Sequence, residues 1–177
     1  MQTPAQKPQK RGLLPRVRAW LHRRRPRSVS QAEPQQLVML PRQARLFGGR
    51  LMLSLPSDFR AERMPRGSRG IHCLTGDKTG LHLTVTELPF AQPLRRITHA
   101  DLQIAFRRLS PPLTLRAVSH GFLRHSPMLT AEWGTAKKTV LRAIQVRKTV
   151  YLLYFENVLP ENAAHVQAIL YAASVAV

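Results

Sequence analysis

From Arg45 onward apolar and polar residues alternate in short runs, and a period of two predicts strands. Leu46-Phe47-Gly48-Gly49-Arg50-Leu51 places a glycine pair between apolar runs, the mark of a two-residue hairpin or of a bulged strand start. Leu51, Leu53 and Leu55 then alternate until Pro56-Ser57-Asp58-Phe59 closes the strand. Ile71 to Leu74 and Leu81 to Leu88 flank Thr75-Gly76-Asp77-Lys78-Thr79-Gly80, which has the glycine and aspartate chemistry of a hairpin loop. In the second of these strands Leu81, Leu83 and Val85 share one face and His82, Thr84 and Thr86 the other. The pattern predicts one buried face, the other being wet or covering a groove.

The period changes at 97–109. Thr98 and Asp101 have the spacing of a capping box, and Ile97 and Leu102 that of a hydrophobic staple. Leu102, Ala105, Phe106 and Leu109 form one helical stripe, ended by Ser110-Pro111-Pro112. Strand-like runs follow at 113–122, 128–135, 139–146 and 150–158. Val150-Tyr151-Leu152-Leu153-Tyr154-Phe155 is apolar on both faces, as a central strand must be. Pro160-Glu161 opens a closing helix with Val166, Ile169, Leu170 and Ala173 on one side. The order of elements predicts an α+β fold, an antiparallel sheet with helices packed on it.

Residues 1–44 read differently and are expected to form a mostly disordered extension before one domain at 45–177. Six prolines and a Gln-rich stretch leave too little apolar area to offset the ordering entropy of the backbone. One piece has helical spacing: Leu13, Val17, Trp20 and Leu21 form a stripe within 13–24, with arginines opposite. Such a helix lies on anionic lipid or docks in an apolar groove. Arg16, Arg18, Arg23, Arg24, Arg25 and Arg27 are the candidate contacts to phosphates or to an anionic surface. The alternative is a solvated basic tail.

Charge sharpens this division. The 177 residues hold 28 Lys and Arg against 9 Asp and Glu, a formal charge of +19 that favours acidic partners. Residues 1–50 carry 12 of those cations and one acid, Glu33. A spanning helix needs about 20 consecutive apolar residues, and no stretch reaches that length. Arginines interrupt every candidate signal-peptide core, so a cytoplasmic location, with peripheral contact to membranes, is expected. A single cysteine, Cys73, excludes an internal disulfide and any multi-cysteine metal site.

The layout also resembles a family. Leu51-Met52-Leu53-Ser54-Leu55-Pro56-Ser57-Asp58-Phe59, a middle helix, a meander through Gly121, Gly134 and Arg142 to Lys148-Thr149-Val150-Tyr151-Leu152-Leu153, and a closing helix with Ile169 and Ser174 resemble the Mog/PsbP/DcrB-like superfamily over about residues 46–175. The resemblance implies a small noncatalytic adaptor. One bacterial branch consists of dimeric chaperones for type VI secretion effectors, which hold apolar effector helices against a sheet face. On that basis Leu83, Val85, Leu129 and Ala131 are expected to line a partner-binding face, in a protein that pairs as a homodimer.

Chemistry of other kinds is thinly supported. His72, Cys73 and His82 fall on neighbouring strands, but alternation points His72 and Cys73 to opposite faces. His120 and His125 are too few to select a metal. The carboxylates are scattered, with Asp101 suited to a cap and Asp77 to a turn. Neither a cofactor nor a metal nor catalysis is expected. Tyr151, Tyr154, Phe155, Trp133, Phe106 and Phe122 could stack on bases, but their positions read as core. Three functions stand: an adaptor or chaperone binding an apolar segment of a protein, a secreted effector in the branch named above; a nucleic-acid or anionic-membrane binder acting through the extension; and an enzyme using Cys73 with a histidine.

Overall fold

The computed structural model describes residues 38–39, 43–62, 70–106 and 114–175. The extension up to residue 37, with its expected helix at 13–24, and the end of the first helix at Leu109 to Pro112 lie outside the described residues. The elements in chain order are β1 (Val38–Met39), β2 (Gln43–Leu46), β3 (Leu51–Ser54), β4 (Phe59–Ala61), β5 (Ile71–Gly76) and β6 (His82–Pro89). A 3₁₀ turn (Leu94–Arg96) and helix α1 (His99–Phe106) follow, then β7 (Leu115–Leu123), β8 (Ser126–Trp133), β9 (Lys138–Val146) and β10 (Thr149–Val158). A second 3₁₀ turn (Pro160–Asn162), α2 (Ala163–Tyr171) and β11 (Ser174–Val175) close the chain.

One antiparallel sheet has the order β1-β4-β5-β6-β10-β9-β8-β7, and a smaller one the order β11-β3-β2. Strand pairing therefore begins upstream of the expected boundary at residue 45. Val38 pairs with Ala61, Gln43 pairs with Ser54, and Ala44 is 2% exposed within the core. A four-residue turn, 47–50, stands where a two-residue hairpin or a bulged strand start was expected. Phe47, Gly48 and Gly49 all have positive φ, and Phe47 packs on His72 and Tyr151.

The large sheet is covered on both sides. Leu83, Val85, Leu153, Phe155 and Ile144 meet the small sheet and Val166, Ile169 and Leu170 of α2. The opposite face, with Leu129, Ala131, Trp133, Leu152 and Tyr154, meets Leu94, Ile97 and Leu102, Ala105 and Phe106 of α1. Thr84 and Thr86 are each 3% exposed, so the threonine face of β6 is covered as well. Thr84 and Thr86 pair with Tyr154 and Leu152 in the layer beneath α1, a long-range cover that alternation alone does not reveal. The central-strand reading is met: Val150 to Phe155 are all buried, and β10 lies between β6 and β9.

Helix α1 begins as its capping box requires. The Thr98 N–H donates to Asp101 Oδ2 at 2.9 Å, and the Asp101 N–H donates to Thr98 Oγ1 at 3.2 Å. Ile97 and Leu102 are both buried beneath it, completing the staple. Thr98→Ala should lower global stability by about 1 kcal/mol, read from the denaturant midpoint. An unchanged midpoint would show that the helix is held by packing alone.

A second expectation concerns pH. Burial against Phe47 pushes the His72 imidazole below its ordinary value near 6.5. The folded state thus prefers the neutral ring. Its contribution is complete above about pH 6.5 and declines as pH falls below that value, where the unfolded chain takes up the proton more readily. His72→Phe should flatten the loss of stability between about pH 7 and 5. An unaltered pH profile in the variant would contradict this.

Candidate partner-binding edge

The four residues expected to line one partner face do not share one. Leu83 and Val85 point to the α2 side and Leu129 and Ala131 to the α1 side, and none is more than 1% exposed. Antiparallel register explains the split: Val85 pairs with Leu153, Leu153 with Arg142 and Arg142 with Thr130, whereas Leu129 pairs with Ala143, which pairs with Leu152. Both sides of the inner strands are occupied by the protein itself.

What remains open is an edge. β7 is the last strand of the large sheet, and among the described residues no strand pairs with its outer side. Its nine residues are mostly exposed. On the α2 side it offers the small residues Ala117, Ser119 and Gly121, with Thr130 and Arg142 behind them on β8 and β9. Arg142 Nη1 donates to Thr130 Oγ1, while its Nε is buried with no hydrogen-bond partner among the described residues. Desolvation pushes this guanidinium below its ordinary value, and Glu132 and Tyr171 act in the opposite direction.

On the α1 side the edge runs along a pocket of about 450 Å³. Pro93, Leu94 and Arg95 form one wall, and Phe122 and Pro127 the other. Its first wall is fixed by Gln145, which accepts the Leu94 N–H at 3.1 Å and donates to the Gln92 carbonyl at 2.9 Å. His120 Nε2 lies 3.1 Å from the Ile97 carbonyl, joining β7 to the segment that leads into α1. Phe122 stands at the lip, 71% exposed. The expectation that it is core fails, because among the described residues no layer covers this position at the outer edge. Trp133, Phe106 and Tyr154 do form a core cluster, with ring centroids 4.7 Å and 6.2 Å apart in the two successive pairs.

The remaining candidates divide by face. His72 lies on Phe47, on the α2 side, opposite to Cys73. Cys73 Sγ is 3.7 Å from Thr84 Oγ1, and His82 Nδ1 is 3.1 Å from Thr75 Oγ1, which donates to Glu62. His120 is in β7, and His125 is in the turn after it. Among the described residues no three His, Cys, Asp or Glu gather as metal ligands would, and no helix is long and apolar enough to cross a membrane. The arginines from Arg16 to Arg27, and Leu13, Val17, Trp20 and Leu21, lie outside the described residues.

No family model and no curated protein matches the chain. Among solved structures, cyanobacterial PsbP (CyanoP) from Synechocystis sp. PCC 6803 is similar over 84% of this chain and 98% of that one, with a TM-score of 0.59 and 10% identity. A crystal structure from Bacteroides thetaiotaomicron VPI-5482 is similar with a TM-score of 0.51 and 10% identity, covering 78% of this chain and 50% of that one. This chain thus accounts for half the length of the Bacteroides protein. The shared feature is the fold: antiparallel sheets with helices packed on them, in the PsbP-like arrangement.

Proposed function

We propose that this PsbP-like chain is a noncatalytic protein-binding adaptor that takes up an extended apolar segment of a partner along β7. The observation that carries the reading is the exposed nine-residue edge strand beside a pocket whose lip is Phe122. An added strand gains main-chain hydrogen bonds from an edge, and alternate side chains gain specificity from a neighbouring pocket. The small residues on the other side of β7 leave room for the intervening side chains. The resemblance to Mog/PsbP/DcrB-like effector chaperones supports a secreted effector as the partner, a cytoplasmic site of action and a homodimeric adaptor. A photo-cross-linking amino acid at Phe122, in cells producing the full chain, should trap a discrete protein partner. The same group at Tyr171, 78% exposed and on α2, should not. Equal trapping at both positions, or none at Phe122, would overturn the reading.

A second reading is favoured by the 12 cations among residues 1–50: the extension binds nucleic acid or an anionic membrane through Arg16, Arg18, Arg23, Arg24, Arg25 and Arg27. Phosphate contacts release counterions, so such binding must weaken steeply with salt. Binding indifferent to salt would exclude it.

A further inference from the structure

Resting on the edge reading above, we infer that the segment taken up along β7 is acidic at one end, with carboxylates held by a cluster of cations where the sheet turns. Three connections meet at that end. They are the 3₁₀ turn with Arg95 and Arg96, the β7–β8 turn with Arg124, and the β9–β10 turn with Arg147 and Lys148. Pairing of Met128 with Ile144 sets the start of β8 beside the end of β9, and the Phe90 N–H donates to the Lys148 carbonyl at 2.7 Å. Arg95 also lines the pocket that Phe122 borders.

All five cations are exposed, and none has an ion-pair partner among the described residues. Three of the other described cations are matched: Arg50 with Glu87 at 2.8 Å, Arg60 with Asp77 at 2.8 Å, and Lys138 with Glu132 at 3.3 Å. The acids lie mainly at the opposite end. Asp58 and Asp77 meet at the β5–β6 turn, Glu156 pairs with the first residue of β6, and Glu132 precedes the β8–β9 turn. At the basic end Glu87 is taken by Arg50, and Asp101 by the Thr98 cap. The described residues therefore supply no counter-charge to these turns, and like charges crowded together favour an anionic partner.

Direction follows from the sheet. Every pairing in it is antiparallel, so a strand added to β7 on the same rule starts beside Leu123 and runs toward Leu115. Its leading residues face Arg124 and its neighbours, and the apolar residue that follows reaches the pocket. Guanidinium groups receive carboxylates through paired N–H donors, which suits Asp and Glu at that leading end. An anionic membrane or a nucleic acid would also meet the cations, but neither fills a concave pocket beside a strand edge.

The test is selection of a random linear-peptide library on phage against the immobilised full chain. Recovered peptides should carry Asp or Glu immediately before an apolar residue. Their binding should fall at least about tenfold in Arg95→Glu/Arg96→Glu/Lys148→Glu, because reversed charges act on both encounter and docking. Arg124 and Arg147 are left in place because their positive φ, 55° and 52°, makes substitution there a backbone change as well. Replacing Arg23, Arg24, Arg25 and Arg27 with Ala should change binding much less. Peptides that need Phe122 but are neutral or basic, or are indifferent to the charge reversal, would overturn this inference and leave the edge reading intact. Peptides indifferent to Phe122→Ser would overturn the edge reading itself. Cluster-dependent binding of phosphatidylserine vesicles or duplex DNA, with no cluster-dependent peptide, would assign the cations to a different partner and overturn the inference.

Discussion

Leu152→Asp is expected to leave no folded protein. Leu152 is 2% exposed in β10, between Thr86 of β6 and Ala143 of β9, and packs in the core beneath α1. An unpaired carboxylate there loses its hydration without gaining a partner, at a cost of several kcal/mol. A domain of this size has a net stability of about 5–15 kcal/mol. Circular dichroism and denaturant titration would check the result. A cooperative transition close to that of the parent protein would mean that β10 is not the centre of the sheet.

Phe122→Ser should do the reverse, leaving stability within about 0.5 kcal/mol while partner affinity drops at least about tenfold. Phe122 is as apolar as the core aromatics but stands 71% exposed, so folding gains little from its ring. An adaptor needs such a residue free in the unbound state, where a partner can bury it. Thermal unfolding and titration of the peptides recovered by selection give the two readouts from one variant. A large loss of stability would place Phe122 among the structural aromatics, and unchanged affinity would remove it from the binding surface.

These two residues also show what was legible in the sequence. The run around Leu152 is apolar in both registers, and only a strand covered on both sides satisfies that pattern. The capping box at Thr98 and Asp101 and the stripe of Val166, Ile169 and Leu170 were equally local, and the structure contains both. Edge position is not local. It depends on which strand ends the sheet, and Leu115-Arg116-Ala117-Val118-Ser119-His120-Gly121-Phe122-Leu123 carried only a weak hint in its poor alternation. The expected partner face failed for a related reason. Leu83 and Leu129 look alike in sequence, yet strand pairing sends them into different cores. The charge asymmetry between the two ends of the sheet was invisible as well, because it arises from turns 52 residues apart in sequence, from Arg95 near the middle of the chain to Arg147.

Amide hydrogen exchange tests the central claim most directly. With the trapped partner segment or a selected peptide added to the full chain, amides within Leu115–Leu123 should slow markedly, because an added strand pairs with the outer side of β7. Amides of Thr149–Val158, already paired on both sides, should not change. Slowing confined to other elements, or to the arginine-rich extension, with β7 exchanging as in the free protein, would contradict the account.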